Sequence, residues 1–298
     1  MRSALWLSAS LCALCAGTAA HAGDSPFDRE VAAQPRGVVE ISNVSGAIDV
    51  KGWDRPTVSV HADLDPEVGR VDVSSEGGHT IIKVVLPSHS GRGGDVHLRV
   101  QIPRESELNV SAVSADVNSS GVLGAQRLST VSGELTAELA GSDVEFKTVS
   151  GDIRLKGHGQ PARLRVTTIS GDVRLEHGAG DFEGSSVSGT LAVSLDSARS
   201  VRTHSTSGDL HFEGKLARGA SFEASSVSGD LNVRASADGG YDYEVNSFSG
   251  DIGDCFDAKS ERTSKYGPGS RLQGTRGEGA GHVRLKTMSG DIQLCDRT

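Results

Sequence analysis

The feature that most constrains this chain is that it repeats itself. An apolar-Ser-Gly corner recurs as Val131-Ser-Gly133, Val149-Ser-Gly151, Ile169-Ser-Gly171, Val187-Ser-Gly189, Thr206-Ser-Gly208, Val227-Ser-Gly229, Phe248-Ser-Gly250 and Met288-Ser-Gly290. A variant, Val113-Ser-Ala115, precedes them, and an outlying copy stands at Val44-Ser-Gly46. From 115 to 250 the spacings are 18, 18, 20, 18, 19, 21 and 21, and the last step is 40. A unit this short cannot bury an apolar face alone, so the repeat implies stacking.

Columns aligned on the glycine keep their character. Two residues after it stand Leu135, Ile153, Val173, Leu191, Leu210, Leu231, Ile252 and Ile292, with a second apolar column two further on. Seven before it are Val144, Leu164, Phe182, Val201, Phe222, Tyr243 and Val283, and three before it every copy has Thr or Ser. Arg, Glu, Lys and Asp fill the places between. This is period-2 alternation on both sides of a bend. Each rung therefore reads as a strand, a Ser-Gly-Asp bend, a second strand and a looser turn such as His177-Gly-Ala-Gly180. The expected fold is all-β, a parallel β-helix or β-solenoid with roughly 20-residue rungs about 4.8 Å apart. An antiparallel sandwich also alternates, but it gives no reason for the same residue types to recur at fixed offsets. Gly133, Gly151, Gly171, Gly189, Gly208, Gly229, Gly250 and Gly290 are expected at the bends because glycine tolerates both φ > 0 and close approach of the next rung.

Outside the array the reading is coarser. Arg2, the apolar run Ala4 to Ala16 and Ala20-His21-Ala22 have the order of a signal peptide, which assigns 1–22 to export and the mature start to Gly23. Residues 23–112 read as irregular β rungs or an end cap, and 113–298 as the regular solenoid, interrupted by an insertion at 257–281. The expected location is periplasm, cell surface or the exterior, with no membrane span in the mature chain. Without Arg2 the chain keeps 39 acids against 29 bases. That charge disfavours nucleic acid and anionic lipid as partners.

Cys255 and Cys295 each stand five residues after a bend glycine, so they share one ladder position. Two rungs apart, they would lie about 9.6 Å from each other, beyond the reach of a bridge. On adjacent rungs, with 257–281 looped out, the spacing allows a disulfide, and that bond is the expectation; two free thiols are the alternative.

The chain now resembles the bacterial putative adhesin family, a domain of unknown function built of β-strand repeats. The resemblance rests on the Val/Ile-Ser-Gly-Asp-Ile/Val/Leu units, on Gly52-Trp53-Asp54 after Ile48-Asp-Val50, on Ile102-Pro103, and on Tyr266-Gly-Pro-Gly269 followed by Val283–Ile292. It spans roughly 35–296 and implies an envelope-associated β-solenoid, with no catalytic residues to carry over.

Chemistry-bearing constellations are few. Asp209, Asp230 and Asp251 follow consecutive bends and could stack as a calcium ladder, or could bond their own bends while facing water. The Ser column lacks the Gly-x-Ser-x-Gly context of a nucleophile and reads as architecture. His89 and His97 flank a Gly-rich loop, and Trp53 is an isolated aromatic that suits a core cap better than a sugar platform. No cofactor is implied. The best-fitting function is a non-enzymatic binding or assembly module whose partner is an envelope or extracellular protein, less readily a polysaccharide. A polysaccharide-active β-helix enzyme and a periplasmic envelope-stress or signalling accessory are the alternatives.

Overall fold

The computed structural model describes residues 27–64, 70–85, 95–256, 260–262 and 268–296. The expected leader at 1–22 and His89 lie outside them. Among the described residues every regular element is a strand, and the chain is a β-solenoid.

Two ladders of parallel strands build it. In the ladder after the bend, Ile48, Val117, Leu135, Ile153, Val173, Leu191, Leu210, Leu231, Ile292 and Ile252 occupy one register position in ten successive rungs. In the ladder before the bend, Leu128, Phe146, Val166, Gly184, Thr203, Ala224, Leu285 and Val245 do the same. The inward positions of the two ladders face each other and form a narrow core, in which Phe146, Phe182, Phe212 and Phe222 are the bulky fillers. Large residues sit beside small ones. The rings of Phe212 and Phe222 meet edge to face at 4.7 Å, and Gly184 leaves room for the Phe182 ring.

Spatial order departs from chain order at both ends. The rung Val38–Trp53 lies between Glu107–Ser120 on one side and the pair His79–Val85 and Val96–Pro103 on the other. Beyond that pair the direction reverses, with Arg70–Glu76 and Thr57–Leu64 antiparallel to it and Phe27–Ala32 antiparallel to Thr57–Leu64. The outlying Val44-Ser-Gly46 is thus a true rung, since Ser45 pairs with Ser114. The strand Glu107–Ser120 runs through position 112, where the sequence suggested a change from irregular to regular rungs.

At the far end, Gly281–Thr287 and Ile292–Cys295 insert between Ser221–Ala237 and the rung that starts at Gly240. The last rung of the chain is therefore the penultimate rung of the stack. The described part of the expected insertion supplies the strand Ser270–Gly277, which pairs antiparallel with Gly240–Ser247 and covers that end. Beneath it, Arg276 stacks over Phe256 at 4.2 Å and pairs with Asp296, which also accepts from the Tyr241 hydroxyl. Burial, with help from Asp296, pushes the Tyr241 phenol well above its ordinary pKa.

Cys255 and Cys295 are disulfide-bonded across these two adjacent rungs, with Cα atoms 4.9 Å apart. That separation is one rung spacing, as the ladder argument requires.

The reason for glycine at the bends is only half the expected one. None of the eight bend glycines has a positive φ, although Gly46 at the outlying corner does (φ 107°); Gly141, Gly159, Gly180 and Gly219, also left-handed, sit at the opposite, looser corner. What the bends require is close approach. A Cβ on Gly171 would stand 1.9 Å from the carbonyl oxygen of Gly151, and one on Gly151 would stand 1.9 Å from that of Gly133. The looser turn is itself less of a turn than expected. The strand Val173–Ser186 keeps its ladder pairing through His177–Gly180, with bulges and left-handed His177 (φ 53°) and Gly180 taking up the change of direction.

Two measurements test this account. Gly171→Ala should lower unfolding free energy by about 1–3 kcal/mol, the usual range for overpacking. Gly253→Ala, whose Cβ meets nothing within 4 Å, should be neutral in the same denaturant titration. Reducing the bridge, or Cys255→Ser with Cys295→Ser, should cost about 4 kcal/mol from loop closure and shift the guanidinium midpoint down.

Candidate binding surface

At each bend a buried Thr or Ser three residues before the glycine fixes the backbone. At six of the eight its hydroxyl accepts the glycine N–H, at 2.9 Å from Gly151 to Thr148, 2.9 Å from Gly171 to Thr168 and 2.8 Å from Gly229 to Ser226, while Ser186 and Thr287 donate to the carbonyls of Gly189 and Gly229. The hydroxyl column is thus mainly an intrarung device. It reaches across rungs in places, as where Ser247 donates to the Gly290 carbonyl at 3.1 Å. Serines next to the glycines form no nucleophile set; Ser150 and Ser170 donate to the carbonyls of Val131 and Val149 on the preceding rung.

The aspartates after the glycines are also tied along the stack. Asp152 accepts the N–H of Asp172 at 3.0 Å, Asp172 that of Thr190 at 2.8 Å and Asp209 that of Asp230 at 2.9 Å. The triplet Asp209, Asp230 and Asp251 is not consecutive in space, because the inserted rung places Asp291 inside it. Asp291 donates its N–H to Asp230, and Asp251 donates to Asp291, both at 2.8 Å. The carboxylates of Asp152, Asp172, Asp209, Asp230 and Asp291 each bond the next rung and not their own bend, which corrects the local-turn reading. Charge-assisted acceptance offsets part of the repulsion between stacked carboxylates. Among the described residues no cluster of three or more His, Cys, Asp or Glu is placed to hold a metal ion.

Outer faces carry interleaved charge. Arg154 pairs with Glu134 of the preceding rung, Arg165 with Glu183 at 2.8 Å and Arg174 with Glu176 at 2.7 Å. The Arg154 hydrogen bond holds the Glu134 carboxyl below the ordinary carboxylate range against a smaller effect of burial. Trp53 does not offer a free platform, since its indole N–H donates to the Thr57 carbonyl at 2.8 Å and Arg55 covers the ring at 5.0 Å. His97 lies exposed on the strand that pairs with Ala47 and Asp63.

The residue before each Ser-Gly is what the alternation argument passed over. Val44, Val113, Val131, Val149, Ile169, Val187, Val227, Met288 and Phe248 are 40–57% exposed, and Thr206 completes the row. Backbone bonds fix them one above another: Ser170 N–H donates to the Val149 carbonyl, Ser188 to Ile169 and Ser207 to Val187, all at 2.7–2.9 Å. The signal was present in the phase. Positions seven, five and three before the glycine point inward, so position two points out, yet it stays apolar in nine rungs of ten. Nine rung steps of about 4.8 Å make an apolar ridge about 43 Å long. Scattered apolar residues are normal on a surface, whereas a contiguous row of this length marks a contact site.

The sequence profile of the Toastrack DUF4097 family matches residues 70–295, which is most of the chain. The chain belongs to this Toastrack family. No curated protein matches it. Among solved structures, a putative adhesin from Parabacteroides distasonis superposes with a TM-score of 0.52 at 10% identity, over 91% of this chain and 97% of its own. A putative lipid binding protein from the same species gives 0.49 at 13% identity, over 92% and 97%. At 10% identity the likeness to the Parabacteroides distasonis adhesin is one of fold alone.

If the aspartate row is purely a stacking device, millimolar calcium should leave the melting temperature unchanged. Asp230→Asn should lower stability by about 1 kcal/mol through the weaker bond to Asp291. A calcium-dependent rise in melting temperature would instead revive the ion ladder.

Proposed function

We propose that this Toastrack chain is an exported, non-catalytic binding or assembly module of the cell envelope that engages a protein partner through its Ser-Gly corner. The observation that carries this reading is the exposed apolar row from Val44 to Phe248, held in register by the stack. Leader-like residues 1–22 support export, and the disulfide Cys255–Cys295 fits an oxidising compartment. The ridge is mostly aliphatic, and aliphatic side chains recognise protein apolar surface better than sugar rings. The carboxylates that a glycosidic reading needs are already engaged by backbone N–H groups along the stack.

A photo-crosslinking amino acid at Ile169, on the ridge, and one at Arg174, on a charged face, separate the alternatives in living cells. The ridge position should give discrete protein adducts, the Arg174 position none, and the adduct-forming chain should have lost residues 1–22 by mass. Equal labelling from both positions, or a ridge without adducts, would remove the corner as a binding surface.

A further inference from the structure

We infer that the occupant of the corner ridge is a second copy of this chain, docked side by side with the two long axes parallel. This rests on the binding-module reading above and names its partner. The ridge presents one contact per rung, about 4.8 Å apart, over ten rungs, apolar in all but the Thr206 rung. A partner that meets all of them must carry the same period, and a second copy does so by construction.

Area and charge agree. The corner from the outer residue four before the glycine to the aspartate one after it spans six residues, five steps or about 16 Å of contour; over 43 Å this gives about 700 Å² per copy. A standard specific interface buries about 800 Å² per partner. One flank of the ridge is acidic, with Asp116, Glu134, Asp152, Asp172, Asp209, Asp230, Asp291 and Asp251 in its row. The row four before the glycine, on the other flank, has no acid of its own: Lys147, Lys286 and His204 stand there among Ser, Thr and Asn, with Lys147 paired to Glu145 of the adjoining row. A two-fold axis along the ridge sets the acidic flank of each copy against the basic and hydroxyl flank of the other. A two-fold axis across the ridge sets acid against acid, which is unfavourable. The parallel arrangement follows.

Sedimentation velocity on the purified chain should report twice the chain mass, and Ile169→Lys with Val187→Lys should return it to the single-chain mass with the melting temperature kept. Orientation is read with Val131→Cys alone. Parallel copies bring the two introduced thiols together, so mild oxidation should give a covalent dimer whose bridge maps by peptide mass spectrometry to position 131. A wild-type chain that sediments as a monomer while its ridge still crosslinks to a different envelope protein overturns the self-association and leaves the binding-module reading standing. A dimer that forms no bridge at 131 alone, but does so when Val131→Cys and Val227→Cys chains are mixed, overturns the parallel arrangement.

Discussion

Everything in this fold follows from how closely one rung lies on the next. Backbone hydrogen bonds set the spacing, and at the bends that spacing leaves no room for a side chain. A Cβ on seven of the eight bend glycines would stand 1.8–2.2 Å from a carbonyl oxygen of the neighbouring rung, as at Gly133, Gly229 and Gly290. Glycine is kept there by contact, not by torsion. Once the bend is fixed, the buried hydroxyl three residues earlier closes it, and the inward side chains of both strands fall into ladders. The thin core needs few aromatics because it is only two side chains deep, with bulk at Phe146 or Phe182 balanced by Gly184, Thr203 and Ala224 in the same ladder.

Much of this was legible in the residues. Repeat spacing, inward columns and the equivalence of Cys255 and Cys295 all depend on local period and offset, which a sequence carries directly. Rung order was not legible. Nothing in the local pattern of Gly281–Cys295 distinguishes a rung added to the end from one inserted a step earlier, since either neighbour offers the same ladder of partners. Only the antiparallel strand Ser270–Gly277, drawn from what looked like a looped-out insertion, shows that the outer place is already taken. The Asp209, Asp230 and Asp251 triplet fell to the same cause.

The ridge illustrates a different gap. Apolar residues at Val149, Ile169 and Val187 were visible as a column, and their register is as expected. Their direction depends on where the bend breaks the alternation, and the phase of a single residue decides it. Buried ladders and an exposed ladder are built from the same side chains here. The inward set makes the chain fold, while the outward set is free to meet something else.

The placement of the final rung bears on how the molecule can be made. A solenoid whose turns are laid down in chain order can wind progressively as it emerges from a ribosome or a translocation pore. This one cannot finish that way. The slot between Ser221–Ala237 and the rung at Gly240 is filled by residues 281–295, which follow both in the chain, so the neighbouring strands must first wait apart or part again. The order of entry is set by geometry, with both neighbouring rungs made before residues 281–295 can enter between them, and the covalent link from Cys295 to Cys255 then ties the late rung to its outer neighbour.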